Sequence, residues 1–510
     1  MILQPDPDQE GTADLAFKPA FDVALSAATA EMNRLDFYSL RDSAVYRDPL
    51  DYYLLATYPP IKAMSPMAAE DVYPGARGVY RVYVHIPFCE QYCTFCHYTK
   101  EINAKHDRVE RYLEALFREF ELVRDLVGEK IRAYSVFFGG GTPSYLSAEQ
   151  LERLLERLWS ILHFENKEEI IFELHPGLVR QPDYEDRIRV LKRYGVTRWV
   201  SGVQSMDEKV LRKLNRGHGR REVYDLLEVL ARHDCADISL DLIYGLPYQT
   251  LENWYGSIRD LAEAGVEKFN IFPLMFKAGD PITLSYRKEP QIFPDPDQRL
   301  LMHLMAETIL AEHGFQEGPI LYYSKGRRRY RTLDEIEKGS HERIEGLGLI
   351  ALGVSGFGYV NQVQYFNHCD MDAYITSLDH GKIPVWLGCR LSREERMRRA
   401  VMFGLRSRGL LRSDFAAKFN VDPAAEFAEE FHLLEQLGLI ELGDDNIVLT
   451  KKGKIDAAGA AALFCSPEVR ERVKLANQRI RDPRRDLLEI HDFSPIGHTG
   501  VSSRAFEIVK

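Results

Sequence analysis

Hydrophobic and polar positions change their period along this chain, and the changes divide it. From Ala20 to Leu35 (AFDVALSAATAEMNRL) the apolar positions recur at helical spacing, predicting an amphipathic helix within an N-terminal extension of residues 1–75. Tyr58-Pro59-Pro60 and Gly75 then punctuate a linker-like stretch. From residue 80 short β-rich runs follow one another: YRVYVHIP (80–87), YSVFFGG (134–140), IIFEL (170–174), RWVSGVQ (198–204), DISLDLIYGL (237–246) and KFNIFPLM (268–275). Between them lie segments such as RVERYLEALFREFELVRDLV (108–127) and SAEQLERLLERLWSIL (147–162), apolar at i, i+3, i+4 and i+7 with charges opposite. Such alternation predicts right-handed βαβ units and a parallel sheet. Several runs are almost continuously apolar, as strands covered on both faces are.

Six units fall short of a closed eight-fold barrel. The predicted fold class is therefore α/β, a partial (β/α)6 TIM-like barrel over residues 76–280, open on one side. Residues 281–390 carry a helical stretch near Gln298–Glu312, the basic run Lys325–Arg331 (KGRRRYR) and the Gly-rich GLGLIALGVSGFG (346–358). They are expected to cover the barrel and shape the substrate region. Over 391–475 short helical segments end in LIELGDDNIVLTKKGK (439–454), read as strand, Asp-Asp turn, strand. That pattern predicts a small α+β, winged-helix-like C-terminal domain, with 476–510 as a tail. No internal repeat is evident.

Composition narrows the class. The 510 residues are 45% hydrophobic and 28% charged, enough to bury a sizeable core and unlike a disordered chain. A net charge of −11 gives no footprint for nucleic-acid backbone, and no apolar run is long enough to span a membrane. Seven cysteines are too few for a disulfide scaffold, so a reducing cytoplasm is expected. Their distribution is uneven: Cys89, Cys93 and Cys96 fall within eight residues.

This C-x3-C-x2-C follows the first strand, so its loop lies on the face where barrel active sites are built. Cys93-Thr-Phe-Cys96-His97 is formally the c-type haem signature, but that chemistry requires export and leaves Cys89 unexplained. Structural zinc, with His85 or His97 as fourth ligand, would need a second ligand pair, whereas Cys235, Cys369, Cys389 and Cys465 are scattered singly. Three thiolates can instead hold a [4Fe–4S] cluster by three irons and leave the fourth open to a ligand. The spacing and its context favour this third reading.

YVHIPFCEQYCTFC (83–96) resembles the radical SAM superfamily, and within it the oxygen-independent coproporphyrinogen III oxidase-like branch. FFGGGTPSYL (137–146), FELHPG (172–177), VSGVQSM (200–206) and DLIYGLPYQT (241–250) are similar to the branch's later motifs, in order. So are GLGLIALGVSGFGYV (346–360), YFNHCDMDAYITSL (365–378) and LTKKGK (449–454), and the likeness spans roughly 55–465. The resemblance implies that Cys89, Cys93 and Cys96 ligate the cluster, and that its open iron chelates S-adenosylmethionine (SAM). Reductive cleavage of SAM would yield methionine and a 5′-deoxyadenosyl radical. Gly140, Gly141 and Thr142 would let the backbone approach the methionine moiety, Tyr83 and Glu173 would contact it, and Phe95 would pack on adenine. Gln204, Arg216 and Asp241 match positions that hold a second SAM molecule. A low-potential flavodoxin- or ferredoxin-type donor and a small-molecule substrate are the implied partners.

Two positions depart from the branch. Tyr98 stands where the oxidases carry a further cysteine, and His175 replaces the usual acidic or amide residue of the Glu-x-Asp-Pro-like motif. The branch also contains methylases and cyclopropanases that use two SAM molecules. Loss of the extra cysteine with the two-SAM positions retained favours radical methylation or cyclopropanation of an sp² carbon. Oxidative decarboxylation of coproporphyrinogen III is the alternative. A haem-delivery role ranks last, because Asn367-His368 has the wrong order for the carriers' motif.

Overall fold

The computed structural model describes residues 10–43, 45, 57–164, 169–276, 280–326, 348–407 and 409–479. Helix α1 (Glu10–Leu35) begins ten residues ahead of the expected start and runs through Pro19, a residue that ordinarily breaks a helix. It is held by tertiary packing, with Phe21, Ala24 and Ala28 buried and Phe17 edge-on to Tyr255 at 5.3 Å.

Six parallel strands alternate with helices as predicted. Strand β1 (Val79–Ile86) leads to α2 (His106–Val127), β2 (Ile131–Gly140) to α3 (Ala148–Ile161), and β3 (Ile170–Leu174) to α4 (Tyr184–Arg193). Then β4 (Arg198–Gln204) leads to α5 (Glu208–Lys213) and α6 (Arg220–Arg232), and β5 (Ile238–Tyr244) to α7 (Leu251–Glu263). Strand β6 (Lys268–Pro273) precedes α8 (Pro281–Lys288) and α9 (Pro296–Glu312). The helix starts are written into the sequence: Ser147 and Gln150 cap α3 reciprocally, as Thr250 and Asn253 cap α7.

The sheet does not stop there. Residues 281–390, expected to lie over the barrel, place strands in the sheet itself, among them β7 (Tyr322–Ser324), β8 (Gly348–Leu352), β9 (Phe357–Val360), β10 (Val363–Asn367) and β11 (Val385–Arg390). The order runs β11-β10-β9-β8-β1-β2-β3-β4-β5-β6-β7, with β8 parallel to β1 and β7 antiparallel to β6. The basic run enters at the far end from the cysteine loop, where the Lys325 amide donates to the Glu267 carbonyl at 3.0 Å. Its residues 327–331 lie outside the described residues.

The two faces of the sheet differ. Outward-pointing Val82, Val84, Val136, Phe138 and Phe172 join the core under α2 and α3, and Val203, Leu240, Leu242, Phe269 and Ile271 join that under α7 and α9. Inward-pointing Tyr83, Glu173, Asp241 and Asn270 are polar. The period of 2 therefore sorts each strand into an apolar back and a polar, functional front. At the amino-terminal end of the strands the inner space is closed by buried ion pairs, Lys268–Asp237 at 2.6 Å and Arg198–Glu169 at 3.1 Å.

Helix α11 (Arg393–Arg406) opens the C-terminal part, after α10 (Met371–Asp379) between β10 and β11. There β12 (Leu410–Leu411), β13 (Ile440–Leu442) and β14 (Asn446–Leu449) pair antiparallel in the order β12-β14-β13, beside the helices Arg412–Phe419 and Ala428–Gln436. This is the helix-then-hairpin pattern expected from the sequence. Among the described residues no helix is long and apolar enough to cross a membrane.

Candidate functional site

Strand β1 delivers the cysteine loop to the carboxyl-terminal edge of the sheet. Just before it, the His85 Nε2–H donates to the Thr99 carbonyl at 3.1 Å, since a carbonyl can only accept. His85 Nδ1 then accepts from the Tyr83 hydroxyl at 3.0 Å. Burial pushes the His85 imidazole down to about 4, so the ring is neutral at physiological pH. With both nitrogens engaged, His85 is a positioning residue beneath the loop rather than a ligand in it.

The loop is pinned by backbone. The Thr94 amide donates to the Leu214 carbonyl at 3.0 Å, the Asn103 amide to Cys89 O at 2.9 Å, and Asn215 Nδ2 to Tyr92 O at 2.9 Å. Lys100 Nζ donates to Cys96 O at 2.7 Å. Cys89 and Cys93 are buried; Cys89 Sγ lies 3.5 Å from the Thr142 hydroxyl, and Arg216 Nη1 donates to Cys93 Sγ at 3.3 Å. Burial pushes the Cys89 thiol up to about 11, opposed by the Thr142 hydrogen bond and aided by the neighbouring Cys96 and Cys93. Cys96 is raised by burial, with Cys93 adding to it and Lys100 opposing.

Three thiols close enough to feel one another are stable together as thiolates only around a cationic centre. Among the described residues no three His, Cys, Asp or Glu side chains converge as a grip on one metal ion. Each cysteine of an iron–sulfur cluster binds its own iron, so such a triad need not converge on a point. The donor set fits the cluster implied by the spacing.

The glycines at the end of β2 have no room for side chains. Gly140 has φ +118°, and a Cβ there would lie 2.7 Å from the His85 ring. One on Gly141 would meet the Pro87 and Phe88 backbone at 2.8 Å. The backbone can thus pass directly beside the cysteine loop.

Across the inner face, the Glu173 carboxylate accepts from the Gly140 amide. Burial first, then the neighbouring Asp241 charge, push Glu173 up to about 8. Asp241 accepts from Asn270 Nδ2 at 2.6 Å and is pushed up to about 7 by burial. Arg216, whose Nη2 donates to the Gly202 carbonyl, favours the charged form of both. Gln204 sits at a strand irregularity with φ +68°, and its buried Oε1 has no hydrogen-bond partner among the described residues. Tyr83, Glu173, Gln204, Arg216 and Asp241 therefore share one inner face with the cysteine loop at its rim. Phe95 stands apart, packed against the apolar group that includes Ile282 and Phe293.

Sequence reasoning passed over Asn270, whose place in the alternation of KFNIFP marks it as inward-facing. It also passed over the buried His218, edge-on to His175 with ring centroids 5.1 Å apart, which no local pattern announces. His175 Nδ1 accepts from the Gly177 amide at 3.0 Å, so the departure at this position caps its own turn.

Residues 83–282 match the family model of the radical SAM superfamily, and residues 391–455 that of the HemN C-terminal domain. The chain belongs to the radical SAM superfamily. Within it, this enzyme lies in the HemN-like, oxygen-independent coproporphyrinogen III oxidase-like branch. It is similar to the oxygen-independent coproporphyrinogen III oxidase of Escherichia coli, 28% identical over 393 residues, covering 73% of this chain and 82% of that one. It is also similar to the haem chaperone HemW of Lactococcus lactis, 29% identical over 374 residues, covering 73% and 93%. Its fold matches the solved coproporphyrinogen III oxidase HemN from Escherichia coli with a TM-score of 0.69, at 25% identity, over 81% of this chain and 96% of that chain. Superfamily membership implies a [4Fe–4S] cluster and SAM.

Proposed function

We propose that this radical SAM enzyme carries out the oxidative decarboxylation of a propionate-bearing porphyrinogen, coproporphyrinogen III being the reference substrate. The observation that carries this reading is the fold match over 96% of the length of HemN. Radical methylation or cyclopropanation, favoured from the sequence, draws no support from the relatives named above, whose names concern porphyrin or haem.

In this reading Cys89, Cys93 and Cys96 hold the cluster. When bound, cluster and SAM supply reductive cleavage to methionine and a 5′-deoxyadenosyl radical. Gly140, Gly141 and Thr142 seat the methionine moiety with Tyr83 and Glu173, and Phe95 packs on adenine. Gln204, Arg216 and Asp241 are positioned for a second SAM: the guanidinium suits a carboxylate, and the buried carboxyls suit ammonium and sulfonium charges. Neutral His85 keeps the glycine cradle in register, and the apolar back of the sheet keeps water out behind it. Reduction by a flavodoxin- or ferredoxin-type carrier in the cytoplasm completes the proposal.

A haem-delivery role is the second reading, favoured by coverage of 93% of HemW and by Tyr98 in place of the expected cysteine. Anaerobic incubation with coproporphyrinogen III and methyl-deuterated SAM separates the readings. Loss of carbon dioxide with no label in the organic product supports decarboxylation. Label in that product sinks it in favour of methylation, and tight haem binding without SAM turnover sinks it in favour of delivery.

A further inference from the structure

We infer that the inner face of strands β8–β11 is an apolar floor on which the pyrrole rings of the substrate lie, beside the SAM-facing half of the same sheet. The inference rests on the porphyrinogen reading above and assigns that substrate a place.

Residues paired across neighbouring strands point to the same face. Phe137 pairs with Tyr83, and Tyr83 with Ala351. Leu349 faces Tyr359 across the antiparallel β8–β9 pair, which sets Ala351 at the level of Phe357. Phe357 pairs with Phe366, and Phe366 with Leu387. One row, Phe137–Tyr83–Ala351–Phe357–Phe366–Leu387, therefore runs across six strands just below the cysteine loop. The outward side chains of the same strands, Ile350, Leu352, Val360, Val363 and Tyr365, are committed to the core.

The row changes chemistry where the sheet passes β1. On β3–β6 the inner face carries Glu173, Gly202, Asp241 and Asn270, a surface for a cationic, zwitterionic ligand. On β8–β11 it carries only apolar groups at this level. Phe357 and Phe366 are half-buried, with ring centroids 5.4 Å apart, whereas Tyr365 between them on the other face is 0% exposed. At a strand spacing of about 4.8 Å, Ala351 to Leu387 spans about 14 Å, wide enough for a four-ring macrocycle laid flat.

The occupant must also present carboxylates. One row down, the Arg399 guanidinium from α11 lies 3.9 Å from the Tyr359 ring centroid, bringing a cation to the border of the apolar floor. An apolar centre with a cationic border, continuous with the Tyr83 side of the SAM site, suits an apolar macrocycle with acidic arms. Aromatic pairs add to buried area in holding such rings.

The test is equilibrium binding of coproporphyrin III, the stable oxidised form of the substrate class, to the anaerobically reconstituted full chain by fluorescence titration. F357A and F366A should each weaken binding at least about tenfold, the equivalent of about 1.4 kcal/mol. An unfolding midpoint matching that of the unaltered chain shows that each variant is folded. If F366A does not fold, F366L removes the ring but keeps the volume and is read in the same titration. Unaltered protein that binds while the folded phenylalanine variants bind equally well overturns the floor but leaves the porphyrinogen reading standing. Unaltered protein that does not bind coproporphyrin III overturns that reading, and the floor with it.

Discussion

Glu119 on α2 gives this fold a pH dependence that can be worked out from its surroundings. The side chain is completely buried, accepting from the Gly353 amide at 2.7 Å, Asn367 Nδ2 at 2.8 Å and the Tyr374 hydroxyl at 2.5 Å. It ties α2 to the turn after β8, to β10 and to α10. Burial outweighs these three bonds and raises its carboxyl from 4.5 to about 7. Each tenfold in proton affinity is worth about 1.4 kcal/mol, so ionisation inside the fold costs about 3 kcal/mol more than in the unfolded chain. The sign follows from the raised value. The contribution is fully present below pH 4.5, and it is lost as pH rises through about 7. Between pH 5 and pH 9 Glu119 should remove about 2–3 kcal/mol of stability. Glu119→Gln keeps a donor and an acceptor in place without the ionisation. Urea denaturation of both proteins across this range isolates the effect, because the remaining titrating groups cancel in the difference. The variant should gain about 2–3 kcal/mol on the unaltered protein from pH 5 to pH 9. Parallel pH profiles would refute the reasoning.

Three other outcomes are expected. C89S, C93S and C96S should each abolish loading of about four irons per chain and SAM cleavage, while C389S leaves both intact; retained iron in any of the three would remove that cysteine from the ligand set. G140A places a Cβ against the His85 ring at φ +118° and should cost about 2–3 kcal/mol in urea unfolding, a loss below about 0.5 kcal/mol contradicting the strain. Burial raises Glu173 to about 8 and Asp241 to about 7, and in the proposed site cationic SAM would favour their ionised forms. SAM affinity should therefore rise by up to about tenfold per pH unit as pH passes through the range of 7 to 8, with proton release seen by calorimetry in buffers of different ionisation enthalpy. Affinity constant from acid to alkaline pH, with no proton release, would mean that the two carboxyls do not meet the cation.

Much of this architecture is legible in the amino-acid sequence. The six β-rich runs are the six parallel strands, because a strand covered by helices must alternate with them and must be apolar on its back. The C-x3-C-x2-C spacing after β1 and the glycines at the end of β2 are readable because both sit at a strand end, where short motifs keep their geometry. What is not legible depends on long-range pairing. Strands β8–β11 are short and Gly-rich, so nothing local shows that β8 joins β1 in parallel, and the region reads as a cover. The extent of α1 is hidden because Pro19 is a local stop signal that packing of Phe21, Ala24 and Ala28 overrides. Glu119 looks like one charge among many in an amphipathic helix; its burial follows from Asn367 and Tyr374, which lie 248 and 255 residues away in the chain.

The central claim is that a radical generated from SAM at the cysteine loop attacks a porphyrinogen propionate. Coproporphyrinogen III deuterated at the propionate carbon adjoining the pyrrole rings, incubated anaerobically with reconstituted enzyme, SAM and a low-potential reductant, tests it most directly. Deuterium should appear in the 5′-deoxyadenosine, together with carbon dioxide. Deuterium-free 5′-deoxyadenosine formed without carbon dioxide would contradict the claim.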